Sequence, residues 1–431
     1  MYPCEKTCGF SKSGIDIWDK LVYNTFIFVN SNTIFPIFLE VLFMKLVTRL
    51  LCLVLIAATA FTLVGCHEKG ETVMTVGNVE IPSGLYITFQ LNSFQQFVSA
   101  VDAELTEQAG GMTPTNGPEK YEDYLERSYQ GKTAQVFINE NAMELSKRYA
   151  WIKTEFDNQG LTLGETDLAT IDYYAKQEWE TVKDLYEPSG AGFESYKEYY
   201  ATFNYKANML FFHYYDKKNE ENPKSGSEAV AEADLAKKLS ENYLLIDVIE
   251  VSLTKTDAAS GASSQMTDEE IEKKKTELTA LADRINKGEK FADIYKEVNK
   301  EDAPSQMQQN TGIEVKSVYP ETAFLLGKDD QNTGSLFTKF DKKRKEDGFA
   351  YNTAYVTGGK DDGYLYISVF YDLEKDPYYV ELNRSSLLQT IKGDAFEKKI
   401  NDGAAKLQAV NADVFDHYQP DQFVFDKVEA Q

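Results

Sequence analysis

The sequence predicts an α+β protein, and three observations carry that expectation. Apolar residues recur at helical spacing through most of residues 83–218 and again after Tyr378. Between them, "NYLLIDVIEVSLTKT" and "DDGYLYISVFYDLEKD" alternate as strands, and these two runs bracket two helix-like stretches. With 431 residues, 42% hydrophobic and 26% charged, the chain is long enough for about two or three packed domains. Its formal net charge of −24 excludes a phosphate-backbone partner, which needs clustered Lys and Arg to displace counterions, so no nucleic acid is expected.

In chain order, Met74 to Ile81 reads as a short strand or hairpin around Gly77-Asn78. Pro82 and Ser83 open a helix carrying Leu85, Phe89, Phe94, Phe97, Val98 and Val101. Residues 109–120 are a Gly/Pro/Thr loop, and the helical pattern resumes from about Tyr121 to Asn158. "NQGLTLGETDLATI" is a turn into another helix, with Thr166 as its N-cap. The next helix, about Phe193 to Lys218, is dense in aromatic rings. Each ring alone reads as core, but as a group they suit the holding of varied peptide segments, and Tyr199, Phe203 and Phe212 are the candidate client-binding residues. His213, a lone His among them, reads as packed. "NEENPKSGSEAVAEAD" is a linker. After the first strand, Thr267 and Glu270 form a capping box for a helix that Gly288 ends, and "EKFADIYKEVN" is a second short helix. From Tyr378 to Asp416 the pattern is helical again, and its part at 383–408, with Leu388, Ile391 and Phe396, needs the helices of 83–220 as a partner.

The four cysteines are Cys4, Cys8, Cys52 and Cys66, so no disulfide or thiolate metal site exists beyond residue 66. No phosphate loop or nucleophile triad is evident, and no metal or cofactor is expected: "TGGKDDG" lacks the Lys-Ser/Thr of a phosphate loop, and "TDEE" is a helix N-terminus. From Met44, "MKLVTRLLCLVLIAATAFTLVGC" resembles a bacterial lipoprotein signal peptide. Lys45 and Arg49 give the positive start, Leu50 to Thr62 the apolar stretch, and Leu63-Val64-Gly65-Cys66 the lipobox, which implies cleavage before Cys66 and a diacylglycerol on its sulfur. The competing reading is an uncleaved signal anchor. Residues 1–43 read as an upstream extension that is untranslated or mis-assigned, since such a signal begins at its own Met.

Two further stretches carry a family resemblance. "TVGNVEIPSGLY" resembles the opening strand and first helix of the PrsA/SurA type of extracytoplasmic foldase, and "QGLTLGETDL" the inter-helix turn of that domain. "INKGEKFADIYKEVN" followed by "DDGYLYISVF" is similar to a parvulin peptidyl-prolyl isomerase domain, with its Gly-Glu-x-Phe-Ala helix and Gly-Tyr-His-Ile strand. The resemblance implies a mostly helical SurA-N-like chaperone domain at 66–238, an inserted small α+β parvulin-like domain at 239–376, and a C-terminal helix within 377–431 that returns to the chaperone domain, behind a signal peptide at 44–65. Parvulins place one His on an inner strand and one on the last strand. The matching positions here are Val248 and Leu365, neither of which can donate a hydrogen bond, and the only His residues, His67, His213 and His417, lie elsewhere. The implied protein is a lipid-anchored foldase or chaperone on the outer face of the bacterial cytoplasmic membrane. Its partners are unfolded secreted proteins, its isomerase activity is weak or absent, and a homodimer is left open. The alternatives are a working parvulin-type isomerase and a solute-binding or structural surface lipoprotein.

Overall fold

A computed structural model describes residues 70–425 except 113–117, 119, 220–221, 257–260 and 306–312. The signal peptide and Cys66 lie outside the described residues. The architecture is α+β, in two compact units. The first comprises the chain up to His213 and again from Ala395; the second is Tyr214–Asp394. Helical elements dominate the first and a four-stranded sheet organises the second.

Unit 1 begins with the hairpin of β1 (Thr72–Val76) and β2 (Val79–Pro82), turning at Gly77, whose φ of +59° an L side chain resists. Helix α1 (Ser83–Gln108) follows directly, with the extended Pro82 as its N-cap. Its Ile87, Leu91, Phe94, Phe97 and Val101 recur every three or four residues, so they share a face, and that face is buried. The short helix α2 (Tyr121–Leu125) and the two-residue strands β3 (Ser128–Tyr129) and β4 (Lys132–Thr133) lead to α3 (Ala134–Asn158), where the Thr133 hydroxyl accepts from Val136 N–H. Helix α4 (Glu165–Tyr186) starts one residue before Thr166, which is therefore not its cap. The Asp167 carboxylate accepts from Gly164 N–H at 2.8 Å instead. Helix α5 (Phe193–Lys197) runs through a π-helical turn, Glu198–Phe203, into α6 (Asn204–Tyr215).

In unit 2, α7 (Glu232–Asn242) leads into β5 (Tyr243–Ser252). A small hairpin, β6 (Thr254–Thr256) and β7 (Ser263–Gln265), precedes α8 (Asp268–Asn286) and α9 (Phe291–Asn299). The capping box is formed as the sequence predicts: Thr267 Oγ1 accepts from Glu270 N–H, and Glu270 Oε2 from Thr267 N–H at 2.8 Å. Strand β8 (Phe324–Gly327), helix α10 (Gly334–Asp347), β9 (Ala354–Gly359) and β10 (Tyr364–Tyr371) complete an antiparallel sheet ordered β8-β5-β10-β9. Arg384 ties the helices of this unit together, reaching Asp216 at 3.1 Å, Glu232 at 2.5 Å and Glu381 at 2.8 Å.

The last helix, α11 (Pro377–Ala404), ends twelve residues before Asp416, and β11 (Ala409–Asn411) then pairs with β1, Met74 opposite Asn411. Its final turns belong to unit 1: Phe396 meets the Phe211 ring edge-on at 5.5 Å, Arg148 donates to Glu397 and Asn401, and Gly403 faces Trp151. Ile391, earlier on the helix, instead lines a hollow of unit 2 with Val230, Asp234 and Lys237. The chain thus leaves unit 1 through α6, builds unit 2, and re-enters through α11.

Candidate functional site

Successive side chains on a strand point to opposite faces, so register decides what the sheet of unit 2 can assemble. In the β5/β10 ladder Val248 stands opposite Ser368, and Leu365 opposite Val251. Val248, Leu244 and Ile246 share a face with Tyr366, Ser368 and Phe370, packing against Phe337 and Phe340 of α10. Leu365 projects from the other face together with Ile367, Val369 and Tyr371, opposite Val251, Ile249, Asp247 and Leu245. The structure therefore does not bring Val248 and Leu365 together. They lie on opposite faces, three register steps apart, and no single bound proline could touch both.

On the α10 face the polar groups are few. Ser368 is fully buried and its hydroxyl finds no partner. Lys339 crosses the Tyr366 ring at 4.4 Å, donates to its hydroxyl at 3.0 Å and pairs with Asp362 at 2.8 Å. That arrangement pins the helix to the sheet and leaves no nucleophile with an adjacent base.

The other face holds the group that motif matching passes over. Asp247, 0% exposed, accepts from the Tyr371 hydroxyl at 2.6 Å through Oδ2, while Oδ1 has no partner. Burial pushes its carboxyl up to about 6, with hydrogen bonding from Tyr371 and then from Thr322 acting the other way. Burial and the neighbouring carboxylate push the Tyr371 phenol far above its usual range. A second buried acid, Asp376, accepts from Ser317 Oγ at 2.5 Å and from Tyr378 N–H at 3.0 Å. The signal in the sequence was an aspartate inside an apolar strand, "YLLIDVIEV", a placement that is costly unless satisfied.

The client-binding candidates of unit 1 need a correction. Tyr199 and Phe203 are each 4% exposed and Phe212 is half-buried, so two of the three are core and cannot meet a client on the surface. Tyr199 packs edge-on to Phe89 at 5.2 Å and stacks on Phe203 at 5.9 Å. Tyr149 packs on Phe89 too and donates to Glu198 at 2.8 Å. The reason is geometric: the π turn that carries Tyr199 and Phe203 packs against α1 and α3, so their rings point inward. The exposed apolar groups of this unit include Leu168 and Tyr173 on α4, at 52% and 58%. His213 is buried and its Nε2 lies 3.2 Å from Gln159 Oε1, a packed His as the sequence predicts. Among the described residues no cluster of His, Cys, Asp and Glu is placed to hold a metal, and no helix is long and apolar enough to cross a membrane.

No family model and no curated protein matches the chain. Among solved structures it is similar to the crystal structure of foldase protein PrsA from Streptococcus pneumoniae. The identity is 11%, 69% of this chain and 99% of that one are covered, and the TM-score is 0.26.

Proposed function

We propose that the protein is an extracytoplasmic chaperone of the foldase type, anchored by lipid on Cys66 to the outer face of a bacterial cytoplasmic membrane. It holds unfolded secreted chains and has little or no prolyl isomerase activity. The observation that carries this reading is the chain path. A small α+β unit with the parvulin-like sequence pattern interrupts a helical unit that the C-terminal segment completes, which is the layout the foldase resemblance implies. The isomerase half is weak because Val248 and Leu365 are apolar and lie on opposite faces of the sheet. Prolyl isomerisation makes and breaks no covalent bond, and shape and desolvation alone can lower part of its barrier of roughly 20 kcal/mol, so two apolar positions leave room for a weak residual activity. Client contact is assigned to exposed apolar groups such as Leu168 and Tyr173, with the charge of −24 keeping complexes soluble and away from anionic lipid.

The test uses purified residues 67–431. The chain is expected to suppress aggregation of a reduced, unfolded client and to leave the isomerisation rate of a proline peptide near its uncatalysed value. Substituting Leu168→Ser together with Tyr173→Ser is expected to weaken the holding activity with the fold intact by circular dichroism. Isomerisation as fast as an ordinary parvulin's would overturn the reading of the sheet. Mass spectrometry of membrane-extracted protein checks the anchor, since an unmodified N-terminus upstream of Cys66 rules it out.

A further inference from the structure

We propose that the outer edge of β9, with the hollow between it and α10, is a docking groove for an extended peptide segment. The segment pairs with the Val356 backbone as an added strand and sets an acidic side chain against Lys342 and the Thr357 hydroxyl. The identity of the partner, an unfolded client chain, rests on the chaperone reading; the groove itself rests on the geometry of unit 2.

Strand β9 ends its sheet and pairs with β10 on one side only. On an antiparallel strand, successive residues turn their N–H and C=O alternately toward the partner and away from it. The phase is set at Ala354, whose N–H donates to Asn286 Oδ1 at 2.7 Å and whose carbonyl accepts from Asn286 Nδ2 at 3.1 Å. Ala354 therefore faces away from β10, and so does Val356, two residues on. Nothing among the described residues bonds the Val356 N–H or carbonyl on that side, and Val356 is partly exposed. Asn286 serves Ala354 as the amide of a neighbouring strand would, and beyond it the edge is open to a further strand.

The hollow beside this edge selects the side chain. It has a volume of about 180 Å³ and is lined by Lys339, Lys342, Lys343 and Thr357 together with the acids Glu346 and Asp362. Sites for free small molecules run to about 300–1,000 Å³, so this one has room for a side chain rather than a metabolite. Thr357 is 7% exposed and stands opposite Tyr366, on the α10 face, and its hydroxyl has no hydrogen-bond partner among the described residues. A buried hydroxyl left unserved is costly, and an arriving carboxylate would accept from it. Five of the seven residues from Lys339 to Lys345 are cations, in a chain of net charge −24. Most are matched already: Lys339 to Asp362 and Lys343 to Asp347, each at 2.8 Å, and both Arg344 and Lys345 to Asp341. Lys342 has Glu346 at 3.8 Å with both side chains largely exposed, so it is the cation placed to take a further carboxylate. At Gly358, with φ +90°, a Cβ would stand 2.3 Å from the Tyr364 carbonyl oxygen, so no side chain comes between the strand edge and the hollow. A segment laid along β9 turns alternate side chains toward the α10 side, where the hollow lies. An acidic one meets Lys342 as an opposite charge, and a basic one is repelled.

Fluorescence anisotropy of purified residues 67–431 with a labelled peptide alternating valine and glutamate tests the groove. Binding is expected, and it should weaken as salt is raised. The same peptide with lysine for glutamate, and a copy N-methylated on its backbone amides, are expected not to bind. Val356→Pro, which removes an outward N–H that an edge strand can spare, is expected to weaken binding about tenfold. Lys342→Glu is expected to weaken it about tenfold and to reduce its dependence on salt. Thr357→Val keeps the shape and loses the hydroxyl; it is expected to weaken binding severalfold without lowering thermal stability, where a structural hydroxyl would lower stability alone. Absence of binding by the unaltered chain, equal binding of the lysine peptide, or undiminished binding of the N-methylated peptide overturns the proposal, whatever the folding of the variants. Full affinity in folded Val356→Pro or Lys342→Glu overturns it too. Aggregation suppression by the same preparation separates the two readings: a chain that binds the peptide and holds no client removes the chaperone and keeps the groove, and one that holds clients and ignores the peptide does the reverse.

Discussion

The two units solve the problem of a stable interior with different materials. Unit 1 is built around rings: Phe94 alone meets Tyr121, Phe423 and Phe425 within 6.0 Å, and Trp179 meets Tyr186, Phe193 and Tyr196. Unit 2 is built around a four-stranded sheet whose faces mix aliphatic and aromatic side chains, and it admits two aspartates where unit 1 buries no carboxylate among the described residues. A ring cluster has large interlocking pieces and few ways to rearrange, so it is sensitive to any lost or added volume. A sheet interior with buried acids is sensitive instead to charge and to protons.

Removal of a ring gives the sharpest test of that contrast. Phe94→Ala is expected to destabilise unit 1 by about 4 kcal/mol through the cavity it leaves. The midpoint of its denaturant unfolding should fall while exchange protection within β5 and β10 stays unchanged, and equal loss in both units would mean that they unfold as one. Adding volume is expected to cost slightly less. A Cβ on Gly403 would stand 2.0 Å from Trp151 Nε1, so Gly403→Ala should cost about 3 kcal/mol and shift the Trp emission. In unit 2, Arg384→Ala removes the cation that Glu232 and Asp216 share and leaves Glu381 with Lys217 alone. Because Glu232 is well exposed, the loss is expected to be about 2 kcal/mol and to shrink in high salt, and a salt-independent loss would assign Arg384 a packing role. The smallest effect belongs to a helix end: Thr267→Ala, which deletes one half of the capping box, should cost about 1 kcal/mol, read as faster exchange in the first turn of α8.

Local chemistry was legible in the sequence wherever one short segment contained the whole cause. The Gly77 turn and the Thr267/Glu270 cap are of this kind, and each is formed; β5 is formed as a strand too, but Leu244 to Asp247 are all buried because both of its faces are covered. What escaped was non-local or masked by composition. Helices α7 and α10 are so rich in Lys, Glu and Asp that their thin apolar stripes, Leu235 with Leu239 and Phe337 with Phe340, give little helical signal: the expected linker runs into the start of α7, and α10 has no counterpart among the expectations. Val248 and Leu365 were matched by position along two strands, but the sheet sets faces by register, and Asp247, one residue earlier, is the position that shares a face with Leu365. The aromatic run was seen; its inward orientation depends on a backbone irregularity that no propensity reveals.

That irregularity, the π turn at Glu198–Phe203, has a consequence for inheritance. A π turn holds one more residue than an α turn, and each residue advances an α-helix by about 100°. Loss of a single codon inside the turn would close it to a regular helix and leave Phe211 facing Phe396, because the wide turn is what absorbs the extra residue, whereas the same loss in the regular part of α6 before Phe211 would swing the later side chains through that angle. The turn is therefore a place where this stretch can lose a residue without rewriting the face that follows, a tolerance that the regular part of α6 lacks.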